Sequence, residues 1–433
     1  MIAASLSLSA PFDQAYATSV LMIAVDGLRP SEIVIPAHAD WSIPNLRALV
    51  HDGASAAGVR GVLPTLTLPS MATLITGTLP REHGIVGNYP CDGKTYTQVK
   101  EFLYADRVKT QTLWQATEKG GLSAANIGWT SSIGAQAAYN LPRVWDTAAS
   151  DQYALQATHS SAGLLARLEP PSAAGPPKNY LMDDDRRALY GERIIEQYGP
   201  DLLTVFFENL DDSEHEFGID TPQARGALEH IDSLIGRLVA AAHKRRSDTA
   251  VVIVSDHGFS SVSAQINLYK ALAESGLPAL PDGGTKQKVW LCSSNGTVYV
   301  ALLDPNDLAL RTRVTSVLHS LKSRPDYGIV QVMNQTEIRA LGGFARADFM
   351  IVFQLGYVAS ADPAAPLQGT GDARGMHGYL LTNPSMYATF ILNGGHTPLK
   401  GNLGIIDMRD IAPTVAKVLG VKLDSAAAGK PLF

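Results

Sequence analysis

The chain has 433 residues, 45% of them apolar and 18% charged, with a formal net charge of −6. These values exclude a disordered or collagen-like chain and leave room for one large α/β core with insertions, or for two domains. An acidic chain has no general attraction for a polyanion, so no polymeric nucleic acid is expected as a partner, and no run reaches the roughly 18 apolar residues that mark a transmembrane segment.

Residues 1–10 (MIAASLSLSA) are small and apolar, and Ala15-Tyr16-Ala17 has the A-x-A form of a signal-peptidase site. A signal peptide or its remnant is therefore expected over residues 1–17, with the mature protein periplasmic or secreted. Residues 19–25 (SVLMIAV) predict a buried strand that ends in Asp26-Gly27. Residues 44–51 predict a short helix with Pro44 in its first turn. Pro64-Thr65-Leu66-Thr67-Leu68-Pro69-Ser70 predicts a helix beginning just after Thr67, since Pro69 fits a first turn. A threonine hydroxyl there lies at the positive end of the helix dipole.

Residues 202–207 (LLTVFF) and 250–254 (AVVIV) predict two further buried strands. Between them Leu228, Ile231, Leu234, Ile235, Leu238 and Val239 recur at helical spacing. Residues 260–370 read as an inserted subdomain, with a strand near 296–303 and a helix over 308–322. The core, 18–259 and 371–433, closes with a helix over 410–419. Apolar strands alternating with helices predict an α/β fold, a mostly parallel central sheet with helices on both faces. Cys91 and Cys292 lie in no metal-binding cluster, and spacing alone does not pair them.

The three core strands run straight into ligand-type side chains: Asp26, then Asp211 and His215, then Asp256 and His257. Loops at the carboxyl ends of strands form the ligand crevice of open α/β sheets, so these groups can converge. Asp211 and His215 are four apart, one above the other on a helical turn, and that carboxylate–imidazole pair can share one zinc ion. His377 stands between close glycines in Gly375-Met376-His377-Gly378. His230, His243 and His319 read as helix-surface residues.

Taken in order, Asp26-Gly27, PTLTLPS, the 83–88 segment HGIVGN, Asp211 to His215, Ser255-Asp256-His257-Gly258 and Gly375-Met376-His377-Gly378 resemble the nucleotide pyrophosphatase/phosphodiesterase family of the alkaline phosphatase superfamily. The resemblance covers nearly the whole chain and implies an alkaline phosphatase-like core with two zinc ions. One would be held by Asp211, His215 and His377, the other by Asp26, Asp256 and His257 with the Thr67 hydroxyl. It implies a covalent phosphothreonine intermediate on Thr67, with Asn88 donating to a phosphoryl oxygen. The partner would be a small-molecule phosphodiester or nucleotide.

Two positions depart from the family pattern. Leu68 and Phe206 stand where an aromatic residue and a tyrosine often line the nucleobase pocket. Sulfatases need a C/S-x-P-x-R motif, which this chain lacks. Residues 129–142 (WTSSIGAQAAYNLP) hold no Lys or Arg, which favours a singly charged diester, although Arg143 lies just beyond. Trp145 reads as structural. A phosphate monoesterase or phosphonate hydrolase of the same superfamily is the enzymatic alternative. A non-catalytic metal-containing binding protein is the alternative of another class.

Overall fold

The computed structural model describes residues 18–34, 38–90, 102–144, 149–170, 180–279, 287–371, 373–424 and 429–433. Ala15-Tyr16-Ala17, Cys91 and Trp145 lie outside the described residues. Val20–Val25, Leu202–Phe207 and Ala250–Val254 form adjacent parallel strands, paired Val20 to Leu202 and Val20 to Ala250. They belong to an eight-stranded sheet. Ala124–Ile127 and Tyr139–Leu141 extend it in parallel on one side. Phe390–Asn393 joins antiparallel on the other.

Successive residues of each strand serve opposite faces, so a run with every residue buried must be covered twice. Leu21, Ile23, Val205, Phe207, Val251 and Ile253 pack under the helices Pro44–Asp52, Asp184–Gln197 and Pro222–Arg245. Val20, Met22, Ala24, Phe206, Val252 and Val254 pack under Thr67–Thr76, Leu113–Lys119 and Ile411–Leu419. Each fully buried Leu, Ile or Phe contributes about 1.5–3 kcal/mol of transfer free energy. The long helix starts where the Thr221 hydroxyl accepts from Ala224 N, with Pro222 next, and it buries the Leu228–Ile231–Leu234–Ile235–Leu238 stripe. The C-terminal helix begins one residue later than the sequence suggests, because Met408–Asp410 form a 3₁₀ turn first.

Within 260–370, Val289–Ser294, Thr297–Leu302, Phe349–Phe353 and Ile329–Asn334 form a separate antiparallel sheet. One face packs on the helix Leu308–Lys322. The other carries Trp290, Tyr299 and Met350 against Leu63, Leu68 and Ala72. That second face braces the start of the Thr67–Thr76 helix. No helix among the described residues is long and apolar enough to cross a membrane.

Candidate active site

The site forms along the carboxyl edge of the three central strands. Asp26 follows Val25, Asp211 and His215 lie on the helix Asn209–Phe217 just after Phe207, and Asp256 and His257 follow Val254. His377 follows the two-residue strand Gly375–Met376, which pairs with Ser260–Ser261. Gly378 after it has φ +83°, and a Cβ there would sit 1.7 Å from the Ser294 carbonyl oxygen. Only glycine lets the chain turn so close to the second sheet.

Two of the three imidazoles are aimed by backbone carbonyls. His215 Nδ1 lies 3.0 Å from Gly375 O and His377 Nδ1 lies 3.0 Å from Thr65 O. A carbonyl only accepts, so both Nδ1 atoms donate and both Nε2 lone pairs face the cluster. His215 Nε2 is 3.2 Å from Asp211 Oδ2, and His377 Nε2 is 3.9 Å from Asp211 Oδ1. His257 Nε2 is 3.1 Å from Asp256 Oδ2 and 3.5 Å from Asp26 Oδ1, and its ring stacks on His377 at 3.6 Å. Two compact donor groups result, Asp26–Asp256–His257 and Asp211–His257–His377.

The donor set fits divalent cations. Asp26 Oδ1, Asp211 Oδ1 and Asp256 Oδ2 are buried without a hydrogen-bond partner. A His215 Nε2 lone pair facing Asp211 Oδ2 at 3.2 Å repels it unless a cation or a proton lies between them. Burial first, then Asp211 and Asp256, push the Asp26 carboxyl well above its ordinary value. Burial pushes His257 down to about 4 and, with His257 adjacent, His377 down to about 3, so both rings are neutral and ready to ligate. Behind them Arg29 Nη2 bonds Glu32, Glu214 and Asp220 at 2.9, 3.2 and 2.8 Å. That buried cluster ties the loop carrying Asp26 to the helix carrying Asp211 and His215.

Thr67 is the first residue of the helix Thr67–Thr76, and its hydroxyl lies 3.4 Å from His257 Nε2. Leu66, at the N-cap, has no side chain to satisfy the first amides. The Leu68 N–H instead donates to Asn88 Oδ1 at 3.0 Å. The loop that delivers Asn88 is pinned at its start by buried His83. Its Nδ1 accepts from Ile85 N and its Nε2 faces Thr73 Oγ1, each at 3.1 Å. Burial holds this ring down at about 3, neutral at working pH.

A cavity of about 340 Å³ opens over these groups. Asp26, Thr67, Leu68, Asn88, Asp211, His215 and His377 line it, joined by Tyr89, Leu103, Arg143, Glu208, Asp212, Asn295, Ala373 and Met376. The profile of the type I phosphodiesterase / nucleotide pyrophosphatase family matches residues 20–380. The chain belongs to that family. Its mostly parallel sheet between helical layers is the family's alkaline phosphatase-like core. An uncharacterized pyrophosphatase/phosphodiesterase of Schizosaccharomyces pombe is 23% identical over 88% of this chain and 72% of its own length. Ectonucleotide pyrophosphatase/phosphodiesterase family member 3 of Rattus norvegicus is 26% identical over 58% of this chain. The venom phosphodiesterase of Macrovipera lebetinus is 25% identical over 56%. The matched region spans 26% of each of these last two proteins.

Two expectations about this family member's pocket change. Phe206 is fully buried in the core under the Thr67–Thr76 helix and lines no part of the cavity. Leu68 does border the cavity, yet most of it packs against the second sheet. Residues 129–142 contribute nothing to the cavity wall, where Arg143 stands instead. Arg143 thus joins Asn88 as a side-chain donor on the cavity wall. Arg143 Nε donates to Glu208, and Arg187 donates to both Glu208 and Asp184. Burial favours protonated Glu208, but Arg143 and Arg187 outweigh it and hold the carboxyl below its ordinary range. Glu208 was findable, since it directly follows a core strand. Asn295 sits in an Asn-Gly hairpin turn that sequence can signal, but its docking over the site is a tertiary fact.

Proposed function

We propose that the chain is a phosphodiesterase/nucleotide pyrophosphatase that works with two zinc ions. Asp211, His215 and His377 would hold one ion, and Asp26, Asp256, His257 and the Thr67 hydroxyl the other. The observation that carries this reading is the convergence of six Asp and His side chains, three with orphaned buried oxygens, around one threonine hydroxyl at a helix N-terminus. When bound, the ions would lower the pKa of that hydroxyl and offset charge on the phosphoryl oxygens.

The remaining steps belong to the chain. Thr67 Oγ1 gives up its proton to water and attacks phosphorus, a Thr67 O–P bond forms as the bond to the leaving oxygen breaks and that oxygen takes up a proton, and water later cleaves the adduct, releasing the phosphoryl product and restoring the Thr67 hydroxyl. Asn88 spends its side-chain oxygen on Leu68 N–H, which leaves its NH₂ group to donate to a phosphoryl oxygen. The helix dipole behind Thr67 favours the developing anion. Arg143 is paired with Glu208, so the wall adds no net positive charge. A diester with one negative charge suits that balance better than a monoester dianion.

Export is part of the proposal. Cys292 is disulfide-bonded, which suits an oxidising compartment, and the A-x-A sequence precedes the first strand. N-terminal sequencing of the natural protein should find a start after Ala17, and an intact Met1 would refute it. The activity is tested by initial rates on bis-p-nitrophenyl phosphate against p-nitrophenyl phosphate. The diester should be preferred by about tenfold or more in kcat/KM. Equal or better cleavage of the monoester would favour the monoesterase alternative.

A further inference from the structure

We propose that Asn295 is a specificity-determining residue that hydrogen-bonds the leaving group, so that diesters releasing a hydroxylated alcohol are selected over diesters releasing a plain alkyl alcohol. The inference rests on the phosphodiesterase reading and names a leaving-group class within it.

Asn295 reaches the cavity from the second sheet. It stands in the turn between Val289–Ser294 and Thr297–Leu302, where Ser294 pairs with Thr297. Its φ of +64° is a left-handed conformation that asparagine tolerates better than most side chains. Asn295 N–H donates to Ser293 Oγ at 3.3 Å, and Asn295 O accepts from Ala359 N–H at 3.0 Å. Beside it, Gly296 N–H donates to His377 O at 3.3 Å, and the Thr297 hydroxyl donates to Gly378 O at 2.9 Å. A Cβ on Gly296 would meet the Tyr379 ring at 2.5 Å, so the turn is seated hard on the segment that carries His377.

The Asn295 backbone is thus committed, while its side chain is not. The carboxamide is half-buried, lines the cavity and has no hydrogen-bond partner among the described residues. On a fixed turn it loses little further freedom when a ligand arrives, and it offers both a donor and an acceptor. A hydroxyl, which also donates and accepts, complements it, whereas an alkyl chain would strip its water and return nothing. Its place in the cavity selects the leaving group. Thr67 Oγ1 lies 3.4 Å from His257, the His257 ring stacks on His377 at 3.6 Å, and His377 is joined to the Asn295 turn. These contacts lead away from the nucleophile, and in an in-line displacement the leaving oxygen departs opposite the attacking one. Asn88, tied to Leu68 N–H at the helix start, serves the transferred phosphoryl group. Asn295, the other carboxamide among the described lining residues, faces what departs.

The test uses zinc-loaded wild type, Asn295→Gly and Asn295→Asp on the methyl phosphodiesters of glycerol and of propanol, with release of each alcohol followed by NMR. Glycine takes φ +64° without strain, so Asn295→Gly removes the carboxamide and keeps the turn. The glycerol-to-propanol ratio of kcat/KM should fall about threefold to tenfold in Asn295→Gly. Asn295→Asp, which keeps an acceptor, should recover part of it. Leaving-group acidity biases the ratio equally in all three proteins and cancels between them. By calorimetry, the Kd of a non-hydrolysable phosphonate, in which a methylene replaces the glycerol ester oxygen, should rise in Asn295→Gly by a similar factor. An unchanged ratio and Kd in Asn295→Gly would sink this inference alone. An equal loss on both esters would make Asn295 a prop for the His377 segment and overturn it as well. A wild type that cleaves no diester ends the phosphodiesterase reading and this inference with it.

Discussion

The floor and the wall of the cavity solve the problem of buried charge in opposite ways. On the wall, Asp184, Glu208, Arg187 and Arg143 neutralise one another within the chain. On the floor, Asp26, Asp211 and Asp256 are buried too, but their ion-pair partners among the described residues are imidazoles alone, and an oxygen of each is left without a hydrogen-bond partner. Buried charges that lack a partner within the chain need one from outside. The contrast separates a region that is complete as folded from one that is completed by cations.

Chelation should break that contrast most sharply. Exhaustive treatment with a chelator should abolish turnover and lower the thermal midpoint by about 5 °C, because uncompensated buried charges return. Readdition of zinc should restore both, as followed by calorimetry and rates. An unchanged midpoint would mean that the floor carries its charge without metal. Zinc reconstitution followed by metal analysis should give two equivalents per chain, and fewer than one would end the two-metal account.

Phe206→Ala should cost about 3–5 kcal/mol in denaturant unfolding while leaving the preference among zinc-loaded substrates unaltered, since this ring packs beneath the site rather than in it. A change in substrate preference at small stability cost would return Phe206 to the pocket. At the other extreme, His230 pairs with Asp185 on the surface. His230→Ala should shift stability by no more than about 0.5 kcal/mol and leave the rate alone, measured by unfolding and by initial rates.

The floor was legible because its signals are local. Asp26 and Asp256 follow apolar runs directly, and Asp211 and His215 share one helical turn. His377 lies more than a hundred residues after His257, and only its flanking glycines and the family's motif order mark it. The wall was not legible, because what aims Arg143 is Glu208, placed by another strand, and what fixes Glu208 is Asp184 on a helix. Phe206 was placed at the pocket by the family resemblance alone, and its strand offers no check on that. In LLTVFF both faces of the strand are covered, so period-two alternation gives no hint of which side of the sheet each phenylalanine serves. Helix positions were read closely where caps and proline mark them, as at Pro44 and Thr67. The packing of the second sheet on Leu68 has no such marker.

The central claim is that Thr67 forms a covalent bond to phosphorus on a floor that stays assembled without its hydroxyl. The direct measurement is rapid acid quench of the zinc-loaded enzyme turning over a diester, followed by peptide mass spectrometry. The account predicts a phosphoryl adduct on Thr67, and in Thr67→Ala no adduct, about a thousandfold loss of kcat and retained zinc. No adduct in wild type, together with more than about a tenth of the wild-type rate in Thr67→Ala, would contradict it and point to direct attack by water.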